Sequence, residues 1–135
     1  MIKFLLLLII FAVMFIFKIF ASLVGTASVV VNKRGTFINH GIQYLKQTRV
    51  CYNLIVPYMG NLVDDIFTFA KERNYTLADE TEFTESVLYR CVLALCPEEA
   101  VVVRRPQVMP YIEREAAIYS FQFLSKYNIK NKEVL

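Results

Sequence analysis

The chain has 135 residues, with 15 basic and 12 acidic side chains, a net charge of +3 and an apolar fraction of 56%. Lys3 and Lys18 lie in the first 31 residues, so residues 32–135 hold 13 basic side chains (15 minus 2) against 12 acidic ones, a balance that gives no basic footprint for nucleic acid. Four glycines exclude a glycine-rich phosphate loop, and one histidine with three cysteines supplies neither a metal motif nor an even-numbered disulfide framework.

The first element is an apolar run of 28 residues, Phe4 to Val31, interrupted only by Lys18. Phe4–Phe17 alone gives roughly 21 Å of helix, short of the about 30 Å of a hydrocarbon core. A spanning helix must include Lys18, and a span at about residues 4–24 is expected. Residues 1–31 then form a membrane anchor of the signal-anchor type.

Ala21, Ser22 and Gly25 follow Lys18 at offsets of three, four and seven, which share one helical face. Small residues let helix backbones approach closely in lipid, and a lysine at mid-bilayer costs about 2.5–3.5 kcal/mol unless it finds protein or water. Lys18, Ala21, Ser22 and Gly25 are therefore the candidate contact for a partner helix. The simpler reading has Lys18 snorkel to the nearer interface. A cleaved signal peptide, of residues 1–27 with small residues for cleavage at Gly25-Thr26-Ala27 or else at Phe20-Ala21-Ser22, is the alternative, although its usual apolar core is only 7–15 residues.

Residues 32–37 carry Lys33 and Arg34, a basic juxtamembrane pair suited to anionic headgroups. With Lys46 and Arg49 they outweigh Lys3 on the other flank, and no acidic residue precedes Asp64. The positive-inside rule places the following domain on the cytosolic side of a single-pass protein.

Residues 38–127 read as an all-α domain, a bundle of about four helices. Ile38, Ile42, Leu45, Tyr52 and Ile55 mark the first, which Pro57 ends or kinks. Met59, Leu62, Val63, Ile66, Phe67 and Ala70 give the clearest amphipathic stripe. Asn74–Ala78 reads as a turn. Asp79 and Glu82 resemble a capping box ahead of Phe83, Val87, Leu88, Cys91, Val92 and Leu95.

Cys96–Pro110 is expected to be a loop with one helical turn. Arg104 and Arg105 within it are candidates for contact with a phosphate or an acidic partner. Pro110 opens the last helix, whose buried face is Ile112, Ala116, Tyr119 and Phe123. Residues 128–135 form a polar tail expected to fray.

No catalytic, cofactor or metal constellation emerges. His40, the one histidine, reads as a surface or cap residue. Glu80, Glu82 and Glu85 read as acids favouring a helix start, and Asp64-Asp65 as a solvated pair. Cys51, Cys91 and Cys96 read as packed thiols, with a single bridge open to them in an oxidising compartment. The expected function is a non-enzymatic accessory or scaffold subunit. Its partners would be other membrane protein subunits and lipid, with no nucleic acid and no small-molecule substrate. The alternative is a secreted or outward-facing helical regulator of the inhibitor or immunity type.

Overall fold

The computed structural model describes residues 3, 5–10 and 33–131. The chain divides into two compact units, Met1–Gly35 and Thr36–Leu135. In the first, residues 5–10 are helical. Among the described residues no helix is long and apolar enough to cross a membrane. The expected span at residues 4–24 lies outside them, apart from residues 5–10.

The second unit is all-α, and its described residues contain no strand. Helix α1 covers residues 33–45. It is followed by α2 (Val50–Ile55), a 3-10 turn (Val56–Tyr58), α3 (Met59–Glu72) and α4 (Leu77–Leu95). A 3-10 segment (Pro97–Val102) then leads through an irregular stretch to α5 (Pro110–Lys126). The described domain thus has five α-helices where about four were expected. The additional one comes from a break in the first stripe. Residues 46–49 leave the helix, and the Thr48 hydroxyl donates to the Leu45 carbonyl at 2.7 Å, diverting the end of α1 into a turn.

Helix α4 is the centre of the bundle. Six successive residues, Phe83 to Leu88, are buried on every side. It starts at Thr76, one box upstream of the expected Asp79–Glu82 pair. The Thr76 hydroxyl accepts from the Asp79 N–H at 3.1 Å, and the Asp79 carboxylate accepts from the Thr76 N–H at 3.2 Å. Threonine at the cap with an acid three residues on is the better box, because both orphan donors are satisfied reciprocally.

The C-termini of α3 and α5 close alike. Asn74 (φ 54°) and Asn128 (φ 52°) take the left-handed conformation that asparagine tolerates. Tyr75 N–H then donates to Ala70 O, and Ile129 N–H to Leu124 O, completing the wrapped ends. Ile129 is buried and Asn131 Nδ2 donates to Leu95 O at 2.9 Å, so residues 128–131 are docked rather than frayed.

The core is aliphatic between α1, α2, α3 and α4 and aromatic towards α5. Phe69 stacks on Phe83 with ring centroids 4.8 Å apart. Phe83, Tyr119, Phe123 and Tyr127 continue the series, at 6.1, 6.2 and 5.2 Å in turn. Of the expected core, Leu62, Ile66, Val87, Leu88, Leu95, Tyr119 and Phe123 are buried. Phe67 is only half-buried, its ring edge-on to Phe37 at 5.2 Å.

Candidate functional site

Lys18, Ala21, Ser22 and Gly25 lie outside the described residues. Lys33 and Arg34 are exposed on α1. Arg104 and Arg105 are both exposed, as expected for a loop, but Arg104 is not simply solvated. Its guanidinium grips the carboxylate of Glu85, whose side chain is only 8% exposed. The other oxygen of that carboxylate meets His40 Nε2 at 3.0 Å. The Tyr44 hydroxyl donates to the backbone carbonyl of Arg104. Three elements, α1, α4 and the loop before α5, are thus fastened around one buried acid.

Glu85 is not the acid at a helix start that its position among Glu80 and Glu82 suggests. It stands a full two turns inside α4, three residues before Leu88 and seven before Val92, on the buried face. That offset within an apolar stripe is the signal that marks it, because a carboxylate buried there requires cationic partners. Burial pushes the Tyr44 phenol well above its ordinary range, and the nearby Glu85 carboxylate adds to the rise.

A second anchor is Glu99, half-buried on the 3-10 segment. One of its carboxylate oxygens accepts from the N–H groups of Arg49 (3.1 Å) and Val50 (2.7 Å), the other from Cys51 (3.1 Å). Burial alone would raise its pKa, but the three hydrogen bonds outweigh burial and hold the carboxyl below the usual range.

Elsewhere, Asp65 accepts from the Tyr119 hydroxyl at 2.8 Å, so it tethers α3 to α5 and is not a solvated acid. Glu113 pairs with Arg90 at 2.7 Å and Glu115 with Arg73 at 3.0 Å. Cys51, Cys91 and Cys96 are buried and none is in a disulfide. Burial pushes the Cys91 thiol up to about 12, and burial together with the Glu99 carboxylate raises that of Cys51, which disfavours the thiolate at both near neutrality. Among the described residues no group of three or more histidine, cysteine or acidic side chains is arranged to hold a metal ion.

Among the described residues, the exposed large apolar side chains include two groups on helices. Leu5 to Ile10 are each 52–59% exposed, six aliphatic side chains in succession. On α5, Tyr111 (49%), Ile118 (59%) and Phe121 (74%) project outward, opposite the buried stripe. The periodicity of α5 marks only its inner face, because Ile112, Ala116, Tyr119 and Phe123 already account for a helix with one apolar side.

No protein-family model matches the chain, and no curated protein or solved structure matches it.

Proposed function

We propose that the protein is a non-enzymatic accessory or scaffold subunit of a membrane assembly, held by a single N-terminal span and acting through helix–helix contacts. The observation that carries this reading is the uncovered helix at Leu5–Ile10. Six successive helical residues point all round the axis, so no one face hides them. A helix that is apolar all round is stable in lipid or inside a protein, not in water. The sequence continues the same character to Val31, beyond the ~20 residues that a span needs.

On this reading Lys18, Ala21, Ser22 and Gly25 meet a partner helix, where a carboxylate or carbonyl offsets the cost of the buried lysine. Lys33 and Arg34 lie at the headgroups, and the helical domain stands on the cytosolic side. The domain contributes a rigid body. Two of its acids, the buried Glu85 and the half-buried Glu99, have their oxygens committed to holding elements together.

The test is extraction followed by co-purification. Full-length protein should stay in the membrane pellet through an alkaline carbonate wash, and Lys18→Leu and Gly25→Leu should each lower the yield of co-purified subunits. Release by carbonate would overturn the anchor. Undiminished partner yield from both variants would move the contact to the domain. A mature protein beginning near Ser28 would instead identify a secreted regulator.

A further inference from the structure

We propose that a recess between α4 and the stretch leading into α5 binds a phosphate group, either the free ion or the end of a monoester. This goes beyond the scaffold reading and does not depend on it, because every residue involved lies in the helical domain.

Ser86, Tyr89 and Arg90 stand at offsets of zero, three and four on α4 and share one face. With Arg105 and Val108 from the following stretch and Glu113 from α5, they line a recess of about 240 Å³. Sites for drug-sized ligands run to roughly 300–1,000 Å³, so this one suits a small polar group rather than a nucleotide or a peptide.

Ser86 is the residue that points to a ligand. It is only 4% exposed, yet it lines the recess, and its hydroxyl makes no hydrogen bond among the described residues. Two other hydroxyls of α4 are spent on the backbone. Thr81 donates to Leu77 O at 3.0 Å and Thr84 to Glu80 O at 2.8 Å. A buried hydroxyl costs free energy until it finds a partner. Arg105 is exposed and likewise makes no ion pair or hydrogen bond among the described residues.

Charge and geometry select the ligand. Arg90 and Arg105 bring two positive charges to the recess against one negative from Glu113, which Arg90 holds at 2.7 Å. Asp79 and Glu82 line a neighbouring recess that Arg105 also borders, and neither pairs with it. Guanidinium forks fit phosphate oxygens, and the hydroxyls of Ser86 and Tyr89 donate to those that remain. Glu113 opposes a fully ionised anion such as sulfate. A phosphate or its monoester still carries a proton over part of the range near neutrality. That P–OH can donate to the Glu113 carboxylate, which keeps acceptor sites beyond its bond from Arg90.

The experiment is equilibrium dialysis of radiolabelled inorganic phosphate against the full chain in maltoside micelles, at about pH 6, where a phosphomonoester is half-protonated. Saturable binding is expected. Arg105→Gln and Ser86→Ala should each weaken it about tenfold, the loss of one hydrogen bond to a charged group. Arg114→Gln removes the same charge from an exposed position outside the recess and should leave the affinity unchanged. Displacement by ethyl phosphate as effective as by unlabelled phosphate would assign the recess to a monoester, and weaker displacement to the free ion. Sulfate and diethyl phosphate (the latter standing for a lipid diester) have no proton to give Glu113 and should not compete. Equal competition by either would show that only charge is read and would overturn the proposal. So would equal losses from Arg105→Gln and Arg114→Gln, or no saturable binding at millimolar phosphate, which would leave Ser86 to water.

Discussion

Glu99 does for α2 what the sequence of α2 does not. The residue at the N-cap is Arg49, whose side chain makes no cap, and no acid lies in the first turn. The carboxylate reaches in from a segment some fifty residues away and takes three of the orphan N–H groups. Its folded pKa is depressed, so its contribution is fully present above the unfolded value of about 4.3 and is lost as pH falls through the folded value. Glu99→Gln should cost about 1–3 kcal/mol at neutral pH, since an amide offers one acceptor oxygen and turns a donor on the remaining N–H groups. Urea melts across pH 2–7 should show the native protein losing that margin below about pH 4, with a flatter profile for the variant.

Glu85 makes the opposite arrangement: a buried acid with exposed partners. The side chains of His40 and Arg104 are 41% and 72% exposed, against 8% for Glu85. Removing a partner strands the buried carboxylate, whereas removing the carboxylate returns its partners to water. Arg104→Ala should therefore cost about 1–3 kcal/mol, and Glu85→Met clearly less. Equal losses in the two melts would show that the network is no more than a surface pair. His40→Ala combined with Arg104→Ala should depart from additivity, because both act on one group.

At the scale of elements, the sequence was most legible where one apolar stripe met one neighbour. Helix α3 buries Met59, Leu62, Val63, Ile66 and Ala70, the offsets read from periodicity, and α5 buries Ile112, Ala116, Tyr119 and Phe123. Asn74, expected in a turn, and Asn128, placed at the start of the tail, both close a helix. The break between α1 and α2 was not legible. Its cause is tertiary: Glu99 caps the far side of the gap, and no local pattern announces a cap supplied from a distance. The ties made by Glu85 and Asp65 were missed for the same reason, since their partners Arg104 and Tyr119 stand in other elements.

Gly41 shows how closely α1 approaches the core. A Cβ built there would sit 2.6 Å from Met59 Sδ and 3.0 Å from its Cε. Those atoms are the end of a flexible side chain, and alanine also gains about 0.8–1 kcal/mol of helix propensity over glycine. Gly41→Ala should thus move stability by less than about 1 kcal/mol. Gly41→Leu has no such outlet, because Leu88 Cδ1 already stands 3.5 Å from the same Cβ position, and overpacking should cost about 1–3 kcal/mol. Thermal melts of the two variants test it, and a Leu variant as stable as the Ala one would show that α1 can lift from the core without penalty.

The whole molecule is asymmetric in charge about its apolar run, and this sets the last expectation. Lys3 alone precedes the run, while Lys33, Arg34, Lys46 and Arg49 follow it before the first acid at Asp64. Positive charge is retained on the cytosolic side during insertion, so the helical domain should face the cytosol. The native thiols are poor reporters of that side. Cys51 and Cys91 are fully buried and Cys96 is 3% exposed, so an impermeant reagent would meet silence from either compartment. Val101, 85% exposed on the 3-10 segment, gives a position that reports without disturbing the core. Val101→Cys in otherwise native protein should react with an impermeant maleimide only after cells are permeabilised, and native protein should react only once denatured. Labelling of residue 101 in intact cells would reverse the orientation. The domain would then face an oxidising compartment, where a bridge among Cys51, Cys91 and Cys96 and an outward-facing regulatory role both follow.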